Sequence, residues 1–261
     1  MLPHHADTLR AVTEHFAREP AVLALVLGGS LAHGFAGPES DVDVMMVVSD
    51  DEHGRRLGAG QATFFSRELC TYAAGYVDGK YISEGFLRAV AAKGSEPARF
   101  AFQDARILFS RSAALPSLLL EAARYPREQK AERLRRFQAQ FEAWRWYTTE
   151  AHKRNDTVLL RTAVAKLSLL AGRIVLAENE LLYPYHKWFL RVLEAAPLQP
   201  SGLVPLLRAL AVQPDPEAIE HLATTLRAFG SWSIEPNTWS TQFMLDSELN
   251  WLTAPAPVDD I

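Results

Sequence analysis

Residues 27–48 read LGGSLAHGFAGPESDVDVMMVV, and two features of this stretch can do chemistry. The first is Gly28-Gly29-Ser30, a tight turn after an apolar run. A Gly-Ser turn that opens a short helix offers backbone N–H groups and a hydroxyl to an anion. The second is Asp41 and Asp43, one residue apart in a segment that otherwise has the composition of a buried strand. Alternate strand residues point the same way, so the two carboxylates project side by side while Val42 and Val44 face the apolar side. Carboxylates held that close repel unless one is protonated or a cation lies between them. A hard divalent ion with oxygen ligands, Mg²⁺ by default, relieves the repulsion. An anion site and a metal site on neighbouring strand ends together describe a metal-bound polyphosphate.

The elements that must position these groups follow from periodicity and punctuation. Leu9, Val12 and Phe16 share one face of a helix over 5–18, closed by Pro20. Residues 21–27 form a short buried strand. Ser30 is placed to cap a helix over 30–36, and 41–48 form a second buried strand. A third strand system is expected over 68–83, a helix over 84–93 and a fourth strand over 105–111, a small mixed α/β unit with helices on one side. Beyond that, long helical patterns take over at 128–154 and 158–180, with shorter ones near 185–195, 203–211, 216–229 and 241–252. The expectation is an α+β chain. A small mixed-sheet domain over 1–118 is followed by an all-α helical bundle over 119–261, with the join near ALPSLLLEAARYP and a loose TAPAPVDDI tail.

Bulk properties narrow the class. With 261 residues the chain can fill one large domain or two ordinary ones. A net charge of −4 gives no general attraction to nucleic acid or to anionic membranes, so neither is expected as a partner. The single cysteine, Cys70, excludes an internal disulfide and a zinc knuckle, and its apolar and aromatic neighbours suggest a buried, inert thiol. AVLALVLGGSLA superficially resembles a secretory core, but Asp7, Glu14 and Glu19 precede it, which is wrong for a signal peptide. No apolar stretch reaches membrane-spanning length, and a cytoplasmic protein is expected.

The order strand, Gly29-Ser30, short helix, then Ser40-Asp41-Val42-Asp43 opening a second strand resembles the signature of the DNA polymerase β-like nucleotidyltransferase superfamily. A small domain followed by a helical one is similar to the aminoglycoside adenylyltransferases and to the minimal nucleotidyltransferases of toxin–antitoxin pairs. The resemblance implies Mg²⁺-dependent transfer of a nucleoside monophosphate, AMP from ATP by preference, to an acceptor hydroxyl. Asp41 and Asp43 would hold the metal, and Gly29, Ser30 and Ser40 would lie on the nucleotide side. The superfamily also uses a third acidic residue as metal ligand or general base, because a hydroxyl is a poor nucleophile at neutral pH. Asp78 in YVDGKYI is the first choice and Glu68 the fallback. Asp78-Gly79 between apolar residues also reads as a solvent-exposed hairpin turn. Lys80 shares the face of Asp78 and reads as a solvated lysine with a substrate contact as the alternative.

In the helical domain the resemblance places an arginine and a lysine on the triphosphate, approximately at Arg173 and Lys187, with the helical domain closing the cleft and holding the acceptor. Lys166 shares the face of Arg173 and reads as solvated. His33 and His186 read as structural histidines, and Trp144, Trp146 and Tyr147 as core, with stacking on a base or acceptor as the alternative. The acceptor expected is a hydroxylated small molecule, an antibiotic among them. Residues 116–261 have nearly balanced charge, with Glu178 and Glu180 the only close acidic pair near the expected cleft, which weighs against a polycationic acceptor. The alternatives are an AMP-transferring, antitoxin-type enzyme acting on a tyrosine or serine of a partner protein, and a nucleotide-binding pseudoenzyme. A monomer or small homo-oligomer is expected.

Overall fold

The computed structural model describes residues 1–73, 75–235 and 238–255. The chain forms two compact units, Met1–Tyr125 and Pro126–Ile261. The first is a five-stranded mixed sheet with helices. It runs α1 (Pro3–Ala17), β1 (Ala24–Leu27), α2 (Gly29–Ala32), β2 (Val42–Val48), α3 (Asp50–Gly58), β3 (Thr63–Ser66), β4 (Val77–Ser83), α4 (Glu84–Lys93), α5 (Glu96–Phe100), β5 (Arg106–Ser110) and α6 (Leu115–Ala122). The strand order is β3-β4-β2-β1-β5, with β2 and β4 parallel and the other pairs antiparallel.

Helices cover both faces of the sheet, not the single side expected. On one face Leu9, Val12 and Phe16 of α1 pack on Leu25, Leu27, Val42, Val44 and Met46. On the other, Leu87 and Val90 of α4 and Leu115 and Leu118 of α6 pack on Val26, Met45, Val47 and Ile82. Alternation along β1 and β2 therefore feeds two apolar layers, which is why both strands are continuously apolar.

Three segments depart from the sequence reading. α3 has no buried residue. It is held by Ser49, whose hydroxyl accepts from the Glu52 amide, and by Glu52 paired with Arg55 and Arg56. Caps and charge pairs support it where apolar periodicity is absent. The strand expected over 68–83 begins only at Val77, and the separate edge strand β3 pairs with it. α6, for which no helix was expected, buries Leu115, Leu118, Leu119 and Ala122 within the first unit. Cys70 is half-buried, its thiol 3.6 Å from the Tyr72 carbonyl, where a buried thiol was expected.

The second unit is largely helical. It comprises α7 (Lys130–Arg154), α8 (Thr157–Glu178), α9 (Phe189–Glu194), α10 (Leu203–Val212), α11 (Pro216–Arg227) and α12 (Trp239–Asp246). Asn155 in the left-handed conformation ends α7, and Asp156 caps α8 by accepting from the Leu159 amide. Phe141, Leu167, Ile174, Leu193, Leu207 and Leu222 centre the core. Most of the expected tail lies outside the described residues. Among the described residues no helix is long and apolar enough to cross a membrane.

One buried cation ties together the helices behind the β2–β4 face. Arg99 is 2% exposed and donates to the carbonyls of Ala91 and Gly94 at the end of α4 and of Arg124 after α6, at 2.9, 3.0 and 3.2 Å. Carbonyls at helix C-termini carry partial negative charge and lack partners within the helix. Arg99→Leu is expected to lower the stability of the full chain by about 3 kcal/mol. A reduced urea midpoint with an unchanged slope is the readout.

Candidate active site

The end of β1 delivers the Gly-Ser turn to the start of β2. Leu27 pairs with Val44, and the Gly28 amide donates to the Asp43 carbonyl at 3.0 Å. Gly29 follows with φ +59°, and a Cβ there would lie 1.8 Å from Asp43 Oδ2. Only glycine combines that conformation with that approach. Ser30 lies inside α2, with Gly28 at the cap position, so it does not cap the helix as expected. Its side chain is 4% exposed, and its hydroxyl has no hydrogen-bond partner among the described residues. A buried hydroxyl left unsatisfied costs about 1–3 kcal/mol, which an oxygen ligand would offset.

The two strands that carry acids run side by side. Asp41 immediately precedes β2 and Asp43 is its second residue. The parallel register pairs Asp43 with Asp78 on β4, and alternation puts both on the sheet face of Met45, Lys80 and Ile82. Asp78 is thus a strand residue, paired on its other side with Phe65, and the hairpin-turn reading fails. The glycine after it serves close approach of the strands, since a Cβ at Gly79 would lie 2.5 Å from the Val44 carbonyl. Asp78 is exposed, and its Oδ1 accepts from the Gly79 amide at 2.7 Å. Glu68 lies exposed in the turn after β3, off the strand that carries Asp78.

Two tyrosines missed in the sequence complete this end of the sheet. The Tyr76 phenol donates a hydrogen bond to the Asp41 carboxylate, and that bond raises its pKa. The charge of Asp41, then burial, then the charges of Asp78 and Asp43 push it the same way. Three carboxylates from separate positions therefore act on one phenol. The signal was available, because Tyr76 stands two residues before Asp78 at strand spacing. Tyr72 donates to the Ser40 carbonyl, and burial, with Cys70 and Asp41 adding to it, pushes its pKa up to about 12. The Ser40 hydroxyl accepts from the Gly37 amide at 2.9 Å and so closes its own loop.

Lys80 is not the solvated lysine that alternation suggests. It is half-buried, 5.8 Å from the Phe102 ring, and burial lowers its pKa while the Asp43 charge opposes the shift. His33 is structural, stacked on Phe100 at 4.5 Å and 3.3 Å from Asp104.

In the helical unit Arg173 is half-buried on α8. Its guanidinium lies 4.4 Å from the Phe137 ring and 4.5 Å from that of Tyr183. Lys187 is exposed, 5.1 Å from Trp188, and Lys166 is exposed. His186 is exposed, 3.1 Å from the Tyr183 hydroxyl. Glu178 and Glu180 are already engaged by cations within the unit, with Lys130 3.5 Å from Glu178 and Arg127 2.5 Å from Glu180. Trp146 is 44% exposed, so not all of its aromatic cluster is core.

Among the described residues no group of three or more His, Cys, Asp or Glu side chains is placed to hold a metal ion, so the three-carboxylate set Asp41, Asp43 and Asp78 is not assembled as one. The acids whose charges reach Tyr76 are Asp41, Asp78 and Asp43. Mg²⁺ accepts such an open set, since it takes one or two carboxylates and completes its shell with water and phosphate oxygens.

A family model described as a nucleotidyltransferase domain matches residues 9–82, which include Gly29, Ser30, Asp41, Asp43 and Asp78. Among solved structures the chain is similar to a nucleotidyltransferase-like protein from Exiguobacterium sibiricum. The two are 13% identical, the match covers 86% of this chain and 74% of that one, and the TM-score is 0.48. No curated protein matches.

Two outcomes follow from this geometry. Gly29→Ala is expected to displace the Asp43 carboxylate and cost about 2 kcal/mol of stability. Gly37→Ala, where a Cβ meets nothing within 4 Å, should stay near the parent protein in the same urea titration. Lys80→Met is expected to raise the urea midpoint at neutral pH. A lysine whose folded pKa lies below its unfolded value destabilises the fold while charged. That penalty is complete below the folded pKa and vanishes as pH rises to the unfolded value. The gain should therefore shrink at high pH.

Proposed function

We propose, from the match of residues 9–82 to a nucleotidyltransferase domain, that the chain transfers AMP from ATP to a hydroxyl of a small-molecule acceptor, with Mg²⁺. The observation that carries this reading is the register of Asp43 against Asp78 beside the buried, unpartnered hydroxyl of Ser30.

Asp41 and Asp43 are the residues that would hold the metal. When bound, Mg²⁺ neutralises the charge that develops on the α-phosphate and on departing pyrophosphate. The Ser30 hydroxyl donates to a phosphate oxygen, which satisfies a group the protein leaves bare. Tyr76 orients Asp41 through its hydrogen bond. Gly29 keeps the turn against the Asp43 carboxylate, where a side chain would separate them. Asp78, exposed and with one oxygen occupied by the Gly79 amide, has its second oxygen available to take the proton of the attacking hydroxyl. Most of the rate enhancement then comes from positioning and electrostatics.

Asp43→Asn is expected to remove the Mg²⁺-dependent part of ATP affinity in calorimetry. It should also slow pyrophosphate release, in the presence of a panel of hydroxylated compounds, by about a hundredfold or more. Affinity and Mg²⁺ dependence equal to those of the parent protein would sink the assignment.

A further inference from the structure

The contacts of α12 with α7 run in opposite chain order and are polar at one end and aromatic at the other. At the polar end Arg136 meets Asp246 at 2.8 Å, the Gln140 amide donates to Ser247 at 2.9 Å, and Arg135 bonds Gln242. At the other end lies a cleft of about 410 Å³ lined by Trp146, Tyr147, Trp239, Phe243, Met244 and Glu248. Its rings meet at steep angles. Trp146 and Tyr147 lie 5.0 Å apart at 69°, Tyr147 and Phe243 6.1 Å at 56°, and Trp239 and Phe243 6.4 Å at 74°. Rings inclined in this way pack edge to face, and those of Trp146, Tyr147, Trp239 and Phe243 also line the cleft. Among the described lining residues Glu248 is the one charged side chain.

Aromatic faces carry the negative side of a quadrupole and attract cations, tryptophan most strongly. A carboxylate at the rim adds attraction of the same sign. We propose that this cleft binds an organic cation of the alkylated-ammonium class, its methyl groups against the rings and its charge facing Glu248. A neutral apolar molecule would use the rings and leave the carboxylate without a counterpart. The site is built from α7, α12 and Glu248 just beyond α12, all in the helical unit, and is independent of the reading of the nucleotidyltransferase domain.

The probe is choline, set against its neutral isostere 3,3-dimethylbutan-1-ol and titrated into the full chain at constant ionic strength with tryptophan fluorescence as the readout. Choline should give saturable quenching at least about tenfold tighter than the alcohol. Glu248→Gln should weaken choline severalfold and leave the alcohol unchanged. Trp239→Phe, checked for folding by circular dichroism, should weaken choline as well. Equal affinity for the two probes would overturn the proposal, as would no saturable signal from choline up to about 100 mM. Choline affinity unaffected by Glu248→Gln would do the same.

Discussion

The parallel pairing of β2 with β4 forces two carboxylates into register, and much of the first unit is organised around that constraint. Adjacent strands lie about 4.8 Å apart. Two like charges at such a separation repel by roughly 1 to 3 kcal/mol, the lower value holding where water screens them well. Asp43 and Asp78 face each other across this pair, and Asp41 stands one step before it. Hydrogen bonding from Tyr76 relieves part of the repulsion, and the charge of the half-buried Lys80 acts on Asp43. Three acids this close suit the hard cation and phosphate oxygens proposed for the site.

A repulsive cluster persists only if the surrounding scaffold over-determines it. Here two apolar layers hold β2 in the middle of the sheet. Two glycines then allow backbones to come closer than other residues would. Gly79 lets β4 approach the Val44 carbonyl, and Gly29 lets the turn touch Asp43. The turn also buries Ser30 with its hydroxyl unpaired. Stability given up at these points is concentrated at the proposed nucleotide site.

Much of this was legible in the chain. α1, β1, β2, α4, α7 and α8 advertise themselves through apolar periodicity or continuous apolar runs, since burial is what stabilises them. α3 and β3 do not, because one is a solvated helix held by a cap and ion pairs and the other a short edge strand with Phe65 facing outward. Asp41 and Asp43 stood out as acids inside an apolar run. Asp78 was ambiguous because an Asp-Gly pair reads as a turn, and only the pairing with β2 reveals that the glycine serves strand approach. The burial of Lys80 depends on tertiary packing that spacing alone does not encode. The same holds for the aromatic walls of the helical unit, which come from two helices distant in sequence.

On the proposed reading the Gly29–Ser30 turn and the acids of β2 and β4 form one nucleotide–metal site. Paramagnetic relaxation tests it directly. ATP with substoichiometric Mn²⁺ is added to isotopically labelled protein, and broadening of backbone amide signals is mapped along the chain. Broadening is expected to begin at Gly29, Ser30, Asp43 and Asp78 and to require ATP for full strength. Broadening that spares these four residues would contradict it.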